Sequence, residues 1–331
     1  MRSRPTMKDV AIAASVSLKT VSRVVNGEPG VTPSTEQRVR AAIETLGFRR
    51  NDSARLLRTG QAATVGLVLE DIGDPFYSAL SRGVEGVARA HGSLLIIGSS
   101  DADPGTEHML ALTLCARRVD GLIVVPTDSD HGFLAQEMTA GVPVVFADRP
   151  PGGIDADTVL SDNTGGAANG TAHLIAGGHR RIGYIGDSRD IFTARERYRG
   201  YRSAMSAADL PVADSWVAMG TPTAVSVQRA LAHMLAGSGP VTAIFCGNNR
   251  VSVLALHVLA ALRQTIAMVG FDDFELADLL GITVIAQDTA ELGRQAAELL
   301  FQRLDGDNPS PHRIVIPTRL IRRGSGELRP A

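Results

Sequence analysis

From residue 65 to residue 269 the chain keeps returning to one unit, a short aliphatic run followed by a stretch of helical length. The runs are Val65–Leu69, Leu94–Gly98, Leu122–Val125, Val144–Phe146, Val159–Leu160, Ile182–Ile185, Ala243–Cys246 and Ala267–Val269. They are continuous rather than alternating in polarity, as expected of strands covered on both faces, and each is read as followed by an amphipathic helix. Strands of that kind belong to parallel sheets with helical crossovers, so the pattern predicts a doubly wound α/β body over residues 62–331. Such sheets hold ligands at the carboxyl edges of their strands. Those edges here carry Asp71 and Asp74, Asp148 and Arg149, Asp162 and Asn163, Asn248 and Asn249, then Asp272 and Asp273.

Residues 1–48 follow a different rule. Val10, Ala11 and Ala14 share one helical face, Ser15-Val16-Ser17 breaks the pattern, and a second helix is expected over Leu18–Asn26 with Ser17 as its N-cap. Its Val21, Val24 and Val25 fall on one side; Leu18 with Ser22, and Lys19 with Arg23, stack on the other. Thr32-Pro33 opens a third helix through Val39, Ile43 and Leu46 that stops at Gly47. Three short helices with a tight turn between the first two describe an all-α helix-turn-helix domain.

Charge separates the two parts. The net charge is −2, but residues 1–60 hold 11 Lys and Arg against 5 Asp and Glu, leaving 22 against 30 in the remainder. A basic module favours phosphate backbones, whereas an acidic body is repelled by them. The absence of a long apolar run and of an apolar core behind the N-terminal arginines points to a cytoplasmic protein that neither spans a membrane nor is secreted. Cys115 and Cys246 lie in apolar runs without metal-ligand spacing, which predicts buried reduced thiols.

The string MKDVAIAASVSLKTVSRVVNG resembles the helix-turn-helix of the LacI/GalR family of bacterial regulators, and VTPSTEQRVRAAIETLGF resembles the third helix that follows it there. The resemblance places Leu18, Lys19 and Arg23 where that family reads base edges, and Thr20, Ser22 and Asn26 where it contacts phosphates. The chemistry agrees, since arginine can bond bidentately to guanine and leucine can pack on a thymine methyl. A solvated helix face is the alternative for Lys19 and Arg23. Residues 49–61 resemble the family's hinge, a segment of about seven helical residues too short to hold itself in water, so it should fold on DNA. Within it Ala54 and Leu57 match DNA contacts, Leu57 as a minor-groove wedge. Leu56 and Leu57 could instead pack two hinge helices together. Arg50 and Leu56 depart from the family's proline and small polar residue.

Over the body, GLVLEDIGDPFYSALSRGVE, VDGLIVVP, GVPVVFADRP, TARERYRGY, AIFCGNN and VGFDD resemble the two-lobed, periplasmic-binding-protein-like core of the same family. The resemblance implies lobe one at about 62–161 and 289–317, and lobe two at about 162–288 and 318–331. It also implies an effector site of Arg197 and Asp272, with Phe76, Tyr77, Asp148, Thr193 and Asn248. An aromatic wall, a bidentate arginine and an acceptor carboxylate suit a sugar-like or nucleobase-like ligand. Arg197 could otherwise pair on the surface with Glu196 or Asp190, and Phe76 could pack beneath the cleft. Only Gln264-Thr265 separate the preceding helix from IAMVGFDD, where the family has a longer loop, and Pro222 stands where some members place an aromatic lid.

Together these readings describe a transcription regulator, expected to be a repressor. It would act as a homodimer on pseudo-palindromic operator DNA, controlled by a small molecule, most simply a sugar. No cofactor, metal or catalytic residue is assigned. Two rival readings are an exported sugar-binding protein, which would need a signal segment, and a hydrolase using Asp272 with Asp273. Neighbours on an extended strand end point opposite ways, which argues against the latter pair.

Overall fold

The computed structural model describes residues 5–48, 62–127, 129–236, 239–307 and 310–330. It divides into two compact units, Met1–Ala62 and Ala63–Ala331.

The first unit is built from helices α1 (Met7–Ala13), α2 (Leu18–Asn26) and α3 (Pro33–Leu46). Thr6 and Asp9 form a reciprocal capping box on α1, and the Ser17 hydroxyl accepts the Thr20 amide at 3.1 Å to open α2. Gly27 and Gly47, with φ of 67° and 64°, end α2 and α3 in the left-handed region that glycine adopts without strain. Val10, Ala14, Val21, Val24 and Val39 close the core between the three helices. Small side chains suffice because the helices are short and cross closely.

The second unit contains two six-stranded sheets. The first is ordered β11-β5-β4-β3-β1-β2 and is parallel throughout. Its strands are β1 (Thr64–Leu69), β2 (Leu94–Ser99), β3 (Gly121–Val124), β4 (Val144–Ala147), β5 (Asp157–Ser161) and β11 (Arg313–Ile316). The second is ordered β12-β10-β9-β8-β6-β7, parallel except for β12 against β10. It comprises β6 (Ile182–Gly186), β7 (Val217–Met219), β8 (Ala243–Cys246), β9 (Ala267–Phe271), β10 (Thr283–Ala286) and β12 (Arg319–Ile321). Helices α4 (Pro75–Ala90), α5 (Pro104–Ala116), α6 (Ala135–Thr139) and α11 (Thr289–Leu304) serve the first sheet. Helices α7 (Asn163–Ala176), α8 (Phe192–Ala207), α9 (Ala224–Leu235) and α10 (Asn249–Leu262) serve the second.

Two expectations need correction. Strands β4 and β9 are not followed by helices: residues 148–156 run as a loop directly into β5 and residues 272–282 as turns into β10, so each of these neighbouring pairs runs parallel without the expected crossover helix. Strand β2 is not covered on both faces, since it lies at the sheet edge with Leu94, Ile96 and Ile97 exposed by 64%, 37% and 39%. Strands β7, β10, β11 and β12 were not anticipated; β7, β11 and β12 lie at sheet edges with mostly half-buried or exposed side chains, so no buried aliphatic run marks them.

The chain passes between the sheets at Asp162, at Gln287-Asp288 and at Pro317-Thr318. Two of these passages are tied together, the Asp162 amide donating to Ile316 O at 2.9 Å. Helices α4 and α11 approach through facing glycines: a Cβ at Gly83 would sit 2.1 Å from Ala290 O, and one at Gly293 2.1 Å from Leu80 O. Helices α7 and α8 do the same at Gly200, 2.2 Å from Thr164 O. Close crossings of this kind draw each sheet's covering helices together and fix the strand ends that face the other lobe.

Candidate functional site

The carboxyl edges of the two sheets converge on a polar cavity of about 70 Å³. Lobe one contributes Glu70 from the end of β1, Asp74, Phe76 and Tyr77 from the start of α4, and Asp148 and Arg149 after β4. Lobe two contributes Asp187 after β6, Thr193 and Arg197 from α8, Asn248 and Arg250 at the start of α10, and Asp272 after β9. All seven side chains singled out from the sequence for this site line that one cavity.

The two lobes present their aspartates in matching ways. Asp148 and Asp272 hold φ of 67° and 68°, uncommon for a residue with a side chain. In each the amide is secured to the neighbouring strand, Asp148 to Val159 O and Asp272 to Ile285 O, both at 2.9 Å. The left-handed turn swings each carboxylate into the cleft. Strain of this kind persists only where the surroundings over-determine it.

Arg197, buried on α8, is the brace of lobe two. Its Nε donates to Asn163 Oδ1 at 2.7 Å, and its Nη1 donates to Gly247 O at 2.8 Å and to Asp272 Oδ2 at 3.1 Å. The guanidinium lies 3.9 Å from the Phe271 ring centre. Gln287 Nε2 donates to the second oxygen of Asp272. The surface pairing with Glu196 or Asp190 does not occur: Glu196 pairs with Arg199 instead.

In lobe one Arg149 Nη1 donates to Pro126 O at 2.9 Å, while Nη2 donates to Glu70 Oε2 at 2.8 Å and to the Tyr77 hydroxyl at 3.1 Å. Tyr77 donates to Glu70 Oε2 at 3.0 Å, and burial pushes its phenol well above the usual range, so it remains a neutral donor. Phe76 meets Tyr77 edge to face at 5.1 Å and also packs against the lobe-one core, so both readings of Phe76 hold together. Burial raises the Asp148 carboxyl to about 6 against the pull of Arg149 and Arg197. Asn248 Oδ1 caps α10 by accepting the Val251 amide at 2.8 Å, and its Nδ2 donates to Asp187 Oδ2 at 3.3 Å. Across the cleft, Asn249 Nδ2 donates to Asp74 Oδ1 at 3.4 Å, and Arg250 Nη1 stands 3.9 Å from Glu70 Oε1.

On the headpiece, Leu18 and Lys19 are exposed on α2, while Thr20, Ser22, Arg23 and Asn26 are half-buried along the same helix. Asn26 Nδ2 donates to Ser22 Oγ at 3.2 Å and to Glu28 Oε1 at 3.1 Å. Ala54 and Leu57 lie outside the described residues. With Val21 and Val24 buried behind it, α2 is a short rod held from one side, about 14 Å long at 1.5 Å per residue, which a major groove about 12 Å wide admits.

Residues 6–51 match the bacterial regulatory proteins of the lacI family, and residues 62–324 match the periplasmic binding proteins and sugar binding domain of the LacI family. The chain belongs to the LacI family. This LacI-family chain is 34% identical over 339 residues to the HTH-type transcriptional regulator CelR of Thermobifida fusca, covering 98% of this chain and 99% of that one. Among solved structures it is similar to a CelR–cellobiose complex, with 32% identity, a TM-score of 0.71 and coverage of 97% and 100%. It is also similar to the lac repressor dimer bound to operator and the anti-inducer ONPF, with 25% identity, a TM-score of 0.86 and coverage of 98% and 99%. The protein is therefore a DNA-binding transcription regulator whose body is built to bind a small effector.

Several cleft residues of this LacI-family regulator were not assigned to the site from sequence. Arg149 was visible at a strand edge but lacked a stated role, and Glu70, Asp187 and Arg250 gave no separate signal. Their common mark is position, each lying at or just beyond the end of a strand or the start of a helix. Asp71, by contrast, points to solvent and closes a turn with the Gly73 amide at 2.8 Å. His173 pairs with Glu327, and buried His179 bonds Leu328 O and Thr242, so both fasten the C-terminal segment. Cys115 and Cys246 are buried and free.

Proposed function

We propose that this regulator is a repressor that binds a near-palindromic operator as a homodimer and responds to a sugar-like effector held between its lobes. The observation that carries the effector site is the convergence of Asp148 and Asp272 from opposite lobes, with Arg197 and an aromatic wall, on one cavity. Lobe closure then depends on what lies between the aspartates, and an effector that fits one lobe angle better than another shifts the balance of states. Lys19 and Arg23 read base edges, Leu18 packs on a thymine methyl, and Thr20, Ser22 and Asn26 position the headpiece on phosphates. Ala54 and Leu57 belong to the hinge contacts, with Leu57 the wedge.

Two exposed apolar faces support the homodimer, one in each lobe. They are the edge strand β2, with Leu94, Ile96 and Ile97, and the segment holding Leu276, Leu279 and Leu280, exposed by 54%, 80% and 54%. We assign no catalytic role. Asp272 faces Arg197 while Asp273 turns outward to a bidentate pair with Arg323, at 2.7 and 2.8 Å, so the two carboxylates cannot act on one substrate.

Selection of random duplexes by the purified full chain at physiological ionic strength, repeated with sugars added, tests the proposal. Enrichment of a two-fold symmetric site whose binding is altered by one sugar is expected. An absence of preference among duplexes would overturn it.

A further inference from the structure

The cleft carries a net sign. Five carboxylates, those of Glu70, Asp74, Asp148, Asp187 and Asp272, face three guanidiniums, those of Arg149, Arg197 and Arg250. Two of the three cations are already committed. Arg197 places its Nε and Nη1 on Asn163, Gly247 and Asp272, and Arg149 places both terminal nitrogens on Pro126, Glu70 and Tyr77, with its Nε 3.4 Å from Asp148 Oδ2. Neither presents the open fork that a phosphate oxyanion takes bidentately. Arg250, the third, projects largely into solvent and is drawn towards Glu70.

One buried acceptor in the cleft is left open. Asp148 is 3% exposed, and its Oδ1 has no hydrogen-bond partner among the described residues. An oxygen buried without a donor is costly, and a ligand hydroxyl or ammonium placed there removes that cost. Burial disfavours the charge on Asp148 most; Arg149 and Arg197 favour it, while Asp272 from across the cleft and Glu70 oppose it, so a donor placed at Oδ1 adds to what the two arginines supply.

We infer that the cleft admits a neutral or positively charged polyhydroxyl ligand and rejects the phosphorylated form of the same sugar. The inference rests on the cleft being the effector site. Like-charge juxtaposition in a partly desolvated site is strongly unfavourable, and a phosphate carries up to two negative charges into a surplus of carboxylates. The amine of an amino sugar, by contrast, would sit between Asp148 and Asp272 as a counter-charge.

The test is isothermal titration of the full chain with glucose, galactose, ribose and cellobiose, and with the amino and phosphate derivatives of whichever sugar binds. The expected result is binding of a neutral or amino sugar, with its phosphate derivative at least roughly tenfold weaker. That gap should narrow as ionic strength rises, and in Glu70→Gln, which frees Arg149 from its counter-charge. Equal or tighter binding of the phosphate derivative, abolished by Arg197→Ala or by the cavity-filling Thr193→Tyr, overturns the inference and leaves the cleft as the site. Binding unaffected by either folded variant, or no binding by any of these sugars, overturns the cleft reading and the inference with it.

Discussion

Replacing Arg197 by alanine should cost this protein both its effector response and much of lobe two's stability, and the second loss can be estimated from the structure. The guanidinium is buried and donates three hydrogen bonds, to Asn163, Gly247 and Asp272, while stacking on Phe271. Charge-assisted hydrogen bonds are each worth about 1.5–3 kcal/mol, but they share one side chain and do not add independently. The governing cost is the Asp272 carboxylate left without its cation in a site 8% exposed, and breaking a buried pair from one side costs about 3–5 kcal/mol. Gln287, still donating to the other oxygen of Asp272, places the expectation at the lower end, about 3 kcal/mol. Urea unfolding followed by fluorescence measures this directly, because the chain's single tryptophan, Trp216, packs against the lobe-two core. Adding Asp272→Asn to Arg197→Ala removes the stranded charge and should recover a third or more of the loss, roughly 1 kcal/mol. Operator affinity without effector should change little in Arg197→Ala. A loss below about 1 kcal/mol, or a double variant weaker than Arg197→Ala by the full cost of Asp272→Asn alone, would refute the brace.

Asp148→Asn should stabilise the effector-free protein at pH 7.5, with the gain vanishing towards pH 4. Burial raises the folded-state carboxyl from 3.8 to about 6, so protonation favours the folded form; its contribution is fully present below about 4 and is lost as the pH rises through about 6. That window corresponds to at most about 3 kcal/mol, read as the melting-temperature difference between variant and parent across pH. Gly293→Ala or Gly83→Ala would force a methyl to 2.1 Å from a backbone carbonyl across the α4–α11 crossing and should lower stability by at least about 1–3 kcal/mol, whereas Gly86→Ala, with open space at its Cβ, should not. Arg23→Ala should relax base preference at one operator position by about 1–3 kcal/mol while leaving the melting of the body unchanged, as scored by duplex selection and calorimetry. Ser17→Ala, removing the α2 cap, should cost the headpiece about 1 kcal/mol and weaken binding to specific and random duplexes alike.

The headpiece was legible almost residue by residue because its boundaries are set by local chemistry. Ser17 caps, Gly27 and Gly47 accept left-handed φ, Pro33 has its φ already restrained, and Val21 and Val24 repeat at helical spacing, so each signal acts within about one turn. The parallel character of the sheets was legible for the same reason, as continuous aliphatic runs need cover on both faces. Strand β2 shows where that inference stops. Its run is as aliphatic as that of β1, yet it lies at the edge of its sheet, and no feature of the run itself reveals which strands pair beside it.

The cleft divides along the same line. Which carboxylates and arginines stand at strand ends is written locally in the chain, because strand ends are marked by the loss of aliphatic residues. What each of them pairs with is set by folding. Arg197 meets Asp272 across 75 positions of chain and Arg149 meets Glu70 across 79, and those pairings turn two apparent anion receptors into braces and leave Asp148 Oδ1 as an unsatisfied acceptor in the cleft. Caps and turns are decided by bonds within a few residues. The charge that a ligand meets is decided by groups brought together only when the sheets and their crossing helices close, and no local pattern records that sum.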